Sequence, residues 1–124
     1  MNSSKQITKK YPAIWLQNRM KKLREMEQNR KRTTLEVDNA LNKLMKRYSW
    51  DEAYLFGSVV KKRRYRHGSD VDIAISGLNK FDYYAFVGDI SELLNKRVDV
   101  VLLEECRFRQ SIMEKGIRWS PKKK

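Results

Sequence analysis

Gly68-Ser69-Asp70-Val71-Asp72-Ile73-Ala74-Ile75 alternates polar and apolar side chains from Asp70 onward. That alternation is the period of a β-strand with one buried face. Asp is a poor strand former, so two of them on one face call for a reason. Residues two apart on a strand point the same way, which projects both carboxylates together. Adjacent anions repel unless a cation or a proton lies between them. Carboxylate oxygens at this spacing suit Mg²⁺, which favours hard oxygen donors and nucleotide phosphates.

Upstream of this strand, Ala53-Tyr54-Leu55-Phe56 is a short apolar run that ends at Gly57-Ser58 and predicts a buried strand. A short basic helical turn over about 58–65 follows, then a loop through His67-Gly68-Ser69. A strand that ends in Gly-Ser and enters a helix presents backbone N–H groups and a hydroxyl to an anion, and glycine permits close approach. On its own, Gly-Ser is a common turn.

Downstream, Ser76-Gly77 closes the strand and Asn79 caps a helix over about 80–95, with Phe86, Ile90, Leu93 and Leu94 inward. Arg97-Val98-Asp99-Val100-Val101-Leu102-Leu103 predicts a third strand. Its Asp99 would lie beside the Asp70/Asp72 pair if the strands are neighbours. A third carboxylate there would ligate a metal or take a proton from an attacking hydroxyl. The last predicted helix, about 105–116, stops at Gly116.

Before the strands, Leu16, Met20 and Leu23 recur at helical spacing within about 13–30, opposite Lys and Arg. This predicts an amphipathic basic helix whose stripe needs a covering surface. Thr33 with Glu36 reads as a capping box, and Asp38 adds an acid to the first turn. A second helix over about 34–48 then carries Val37, Leu41, Leu44 and Tyr48 inward. The predicted order is α-α-β-α-β-α-β-α. The fold class is α/β, a small mixed sheet of three to four strands flanked by helices with an N-terminal basic helical extension. The chain divides into that extension at 1–32, a domain at 33–120 and a basic tail at 121–124.

The 124 residues suit one compact domain. A formal net charge of +13 is concentrated, with ten Lys or Arg against Glu25 and Glu27 in residues 1–32. A second run, Lys61-Lys62-Arg63-Arg64-Tyr65-Arg66, follows the Gly-Ser pair, and Lys122 to Lys124 close the sequence. Such an excess favours polyanions or an acidic partner, although a charge run is most often a solvated face. Cys106 is the single cysteine, which excludes an intrachain disulfide and suits a reducing, cytoplasmic setting. No apolar run is long enough to span a bilayer. The acid-free first 24 residues bear a faint likeness to an organelle transit peptide, as any basic helix does. His67, Cys106, Trp15, Trp50 and Trp119 read as loop or packing residues. Tyr65 reads as a solvated side chain more than as a base-stacking platform.

An apolar strand, Gly-Ser, a basic turn, Asp-x-Asp on a strand and Asp on the next strand together resemble the nucleotidyltransferase superfamily of the DNA polymerase beta type. Within it the chain is most similar to the minimal nucleotidyltransferase family. Leu55-Phe56-Gly57-Ser58, Gly68 to Ile75, Arg97 to Val101 and the ending Met113-Glu114-Lys115-Gly116-Ile117 carry the likeness, which covers about 34–119. The sequence departs from the family's usual small residue, Arg and Gly after Gly-Ser. Here Val59-Val60-Lys61-Lys62 follow, so Lys61 takes the Arg place.

The resemblance implies that Asp70, Asp72 and Asp99 are the catalytic, Mg²⁺-ligating set and that Gly57, Ser58 and Lys61 bind the phosphates of ATP. It further implies an antitoxin that transfers AMP from ATP to a hydroxyl side chain of a cognate HEPN-domain ribonuclease toxin. Two alternatives stand beside it. One is a non-enzymatic antitoxin that neutralises by binding; the other is a nucleotidyltransferase that binds or extends nucleic acid, motivated by the charge.

Overall fold

A computed structural model describes residues 12–61 and 70–121. The expectations for residues 1–10, for most of the basic run including Tyr65, for the loop through His67, and for the lysines at 122–124 lie outside these residues.

One helix, α1 (Ala13–Leu44), replaces the two that the sequence predicts. Thr33 does not cap a helix. It sits inside α1, fully buried, and its Oγ1 accepts a hydrogen bond from Lys96 Nζ at 3.0 Å. The Glu36 carboxylate lies 3.6 Å from the same ammonium. The Thr-Glu pair thus serves a lysine arriving from elsewhere in the chain. No Gly or Pro interrupts Lys31-Arg32-Thr33-Thr34, so intrinsic propensity lets the helix continue. The expected boundary between extension and domain falls within this helix.

Four strands follow: β1 (Glu52–Phe56), β2 (Val71–Ser76), β3 (Val98–Leu102) and β4 (Ile117–Arg118). They form one mixed sheet in the order β3-β2-β1-β4. β1 is antiparallel to both β2 and β4, whereas β2 and β3 are parallel. A parallel pair needs a crossover. Here it is α2 (Tyr83–Leu94), entered through a 3₁₀ turn at Lys80–Asp82. Asn79 begins this segment as predicted, accepting from the Phe81 amide at 2.9 Å. Asn95 ends it in the left-handed region at φ 50°, a conformation that asparagine tolerates.

The larger core lies on one face of the sheet, where Ala53 and Leu55, Val71, Ile73 and Ile75, and Val98 and Val100 meet α1 and α2. Phe86, Ile90 and Leu94 are buried on the inner side of α2, but Leu93 is 44 % exposed, off the expected face. Trp50 packs edge-on to Phe86 and tilted against Trp119. The opposite face carries a smaller cluster of Tyr54, Ala74, Leu103 and Ile112. A 3₁₀ turn at Leu103–Glu105, where the third strand was expected to end, and the short α3 (Arg109–Lys115), within the helix expected over about 105–116, supply the last two. Gly116 ends α3. A Cβ there would come within 2.7 Å of the Leu55 carbonyl oxygen, so glycine is what lets the chain turn against β1 and form β4.

Candidate active site

The parallel register of β2 and β3 sets Asp72 opposite Asp99, and the antiparallel register of β1 sets Phe56 opposite Asp72. Alternation then assigns these three residues to the face of the smaller cluster, away from α1 and α2. The chain leaves Phe56 into Gly57, which adopts φ +78°. That conformation is open to glycine and strained for a residue with a Cβ. A Cβ at Gly57 would overlap Asp72 Oδ2. The glycine backbone and the Asp72 carboxylate are therefore pressed together.

After Gly57 comes one 3₁₀ turn, Gly57–Val60, closed by the Lys61 amide donating to the Ser58 carbonyl at 3.1 Å. The expected helix over 58–65 is limited to this turn among the described residues. A helix dipole is correspondingly small here, and any anion affinity rests on individual N–H groups and the Ser58 hydroxyl. Val59 is fully buried beneath the turn. From α1, Arg30 Nη1 donates to the Val59 carbonyl at 3.3 Å while its guanidinium pairs with Glu27 at 3.1 Å. The Lys61 side chain belongs to an exposed residue at the end of the described segment.

Burial raises the pKa of the Asp72 carboxyl above its ordinary value, and the charges of Asp99 and then Asp70 raise it further. Asp70 precedes β2 by one residue and is exposed. Asp72 thus senses both of the other acids. Among the described residues no three His, Cys, Asp or Glu side chains are grouped to hold a metal. Asp70 stands one residue ahead of β2, next to the register that aligns the other two. Mg²⁺ commonly takes one or two protein carboxylates and completes its shell with water and substrate phosphates. The Asp72/Asp99 pair, made mutually unfavourable by repulsion, fits that requirement in donor type.

Beyond Asp99 a groove of about 570 Å³ runs along β3, with Asp99, Tyr83, Tyr84 and Cys106 among its walls. Tyr83 donates its hydroxyl to the Val100 carbonyl at 2.6 Å. Its acidity is weakened by burial, then by the nearby Asp99 charge. Tyr83 and Arg30 both escape sequence reading. Tyr83 resembles any aromatic in a helix, and Arg30 is one cation among many.

Residues 39–121 match the family model for polymerase beta nucleotidyltransferases. The chain belongs to that family and is a nucleotidyltransferase. No curated protein matches it in sequence. Among solved structures, one described as a minimal nucleotidyltransferase superposes with a TM-score of 0.60 at 22 % identity, over 71 % of this chain and 93 % of its own. A toxin–antitoxin structure with AMP-PNP gives 0.56 at 24 %, over 69 % and 74 %. The MntA–HepT toxin–antitoxin structure gives 0.53 at 20 %, over 72 % and 73 %. At these identities the likeness is one of fold. Among the described residues no helix is long and apolar enough to cross a membrane.

Proposed function

We propose that this nucleotidyltransferase moves AMP from ATP to a hydroxyl side chain of a protein partner, and that it acts in the cytoplasm as the antitoxin of a HEPN-domain toxin. The observation that carries the reading is the register pairing of Asp72 with Asp99 on parallel strands, with Gly57 packed on the Asp72 carboxylate. Its likeness in fold to toxin–antitoxin structures, one of them with AMP-PNP, supports the setting.

In this reading Asp72 and Asp99, with Asp70 alongside, would hold Mg²⁺, which would supply neutralisation of charge on the triphosphate. Gly57, Ser58 and Lys61 hold the two terminal phosphates through N–H groups, a hydroxyl and an ammonium. Asp99 accepts the proton of the acceptor hydroxyl. The acceptor oxygen then bonds to the α-phosphorus as the bond to the bridging oxygen breaks, and pyrophosphate leaves with the electron pair. Catalysis is positioning and charge stabilisation, as phosphoryl transfer requires. Labelled ATP incubated with this protein and the product of its neighbouring gene should label that product. The Asp70→Asn/Asp72→Asn double variant should not. Equal labelling by both would refute the assignment.

A second reading has its own observation. No residue of α1 before Thr33 is buried, although Leu16, Met20 and Leu23 recur along it. A basic helix with such a stripe serves to grip a partner, and neutralisation by binding alone would need no transfer. Toxin inhibition that persists in the double Asn variant would favour this account.

A further inference from the structure

The groove beside β3 lies outside the phosphate-binding turn, and its position in the sheet gives it a direction. Across the sheet the order is the Gly57-Ser58 turn leaving β1, Asp72 on β2, Asp99 on β3, and then the groove. An in-line displacement puts attacking and leaving oxygens on opposite sides of phosphorus. With pyrophosphate leaving on the Gly57 side, the attacking hydroxyl arrives from the β3 side. Resting on the function proposed above, we propose that this groove is the acceptor's docking site. Its occupant is a protein that inserts a hydroxyl-bearing side chain and lays an apolar surface on the rim.

Three features define that occupant. The Tyr83 hydroxyl already occupies the Val100 carbonyl on the edge strand. The groove therefore receives a side chain, since an added β-strand would have to displace this bond. The lining includes two aromatic side chains. Tyr83 and Tyr84 both border the groove, and Tyr84 is 84 % exposed. Aromatic side chains left in water beside a cleft are characteristic anchors of protein interfaces. Finally, the lining holds Asp99 and Glu105 against a single cation, Lys80, whose ammonium lies 2.8 Å from Glu105. Such a wall lacks the basic excess that holds a nucleic-acid backbone. The same ion pair links the segment entering α2 to the turn after β3.

The test uses Tyr84→Ala, an exposed position lining the groove, with the neighbouring gene's product as acceptor. The apparent KM for the acceptor should rise about tenfold, with affinity for fluorescent Mg·ATP retained. Hydroxyl-radical footprinting should show Tyr84 protected by the acceptor protein and not by Mg·ATP. Weakened Mg·ATP binding with an unchanged acceptor KM would make the groove a nucleobase site and overturn the proposal. An unchanged pair of constants would overturn it as well. If the wild-type protein transfers nothing, the enzymatic reading fails by itself. Docking is then judged by calorimetry with the same protein, and equal affinities for wild type and Tyr84→Ala would end it.

Discussion

Asp72 is a side chain that the fold would be more stable without. Burial and two neighbouring anions raise its pKa in the folded state, so the native protein holds that proton more tightly than the unfolded chain does. The ionised form therefore costs stability above the folded pKa, and the cost fades as pH falls through it toward the ordinary 3.8. Asp72→Asn should raise the melting temperature at neutral pH, with an advantage over wild type that shrinks on acidification; thermal unfolding at several pH values measures both. The same variant should lose transfer by about a hundredfold or more if its carboxylate stabilises the reacting phosphates. Gly57→Ala acts from the other side of the contact. Its Cβ would overlap Asp72 Oδ2 and strain the backbone at φ +78°, so transfer should fall and stability should drop by about 1 kcal/mol or more. Denaturant melts and labelled-ATP assays read these two effects separately. Tyr48, whose hydroxyl donates to Asp89 at 2.7 Å, gives a control remote from the site. Tyr48→Phe should cost about 1 kcal/mol and leave transfer intact.

At the scale of elements, the strands and the placing of Asp72 and Asp99 on them were readable because period and chemistry coincide there. Val71, Ile73 and Ile75 had to face a core, which placed Asp72 on the other side, and Asp99 followed from the same alternation in β3. Pairing of the two acids was available only as a condition, since no sequence feature states that β2 and β3 are neighbours or parallel. Asp70 stands one residue before the strand begins, so the ladder register alone does not fix its place beside Asp72. Thr33 and Glu36 were misread for a different reason. A capping box is local, whereas the partner these side chains meet is Lys96, 63 residues away in the chain. β4 escaped notice because two residues have no period, and it exists by virtue of the close approach of Gly116 to β1. Lys96→Met would leave buried Thr33 Oγ1 without its donor. A loss of about 1–2 kcal/mol in chemical denaturation is expected, with no change in nucleotide binding.

For the whole molecule, the larger core lies on one face of the sheet and the candidate acids Asp72 and Asp99 on the other. Phe86 is fully buried and meets both Tyr48 and Trp50 edge-on, so it joins α2 to the end of α1 and to the approach to β1. Phe86→Ala should cost about 3–5 kcal/mol, a large fraction of what a domain this small possesses. Its signature in circular dichroism would be cooperative unfolding of all elements at lower denaturant. The large basic excess, by contrast, says little about the fold.

None of the first twenty residues of α1, Ala13–Arg32, is fully buried, and at about 1.5 Å per residue they make a rod of roughly 30 Å. Near the foot of that rod stands Arg30, the residue that holds the Val59 carbonyl. A rigid shaft fastened at its base works as a lever: a force that tilts its far end is delivered to the turn beside Gly57. Severing the fastening with Arg30→Ala should quicken amide exchange at Val59 to Lys61 while leaving the shaft helical.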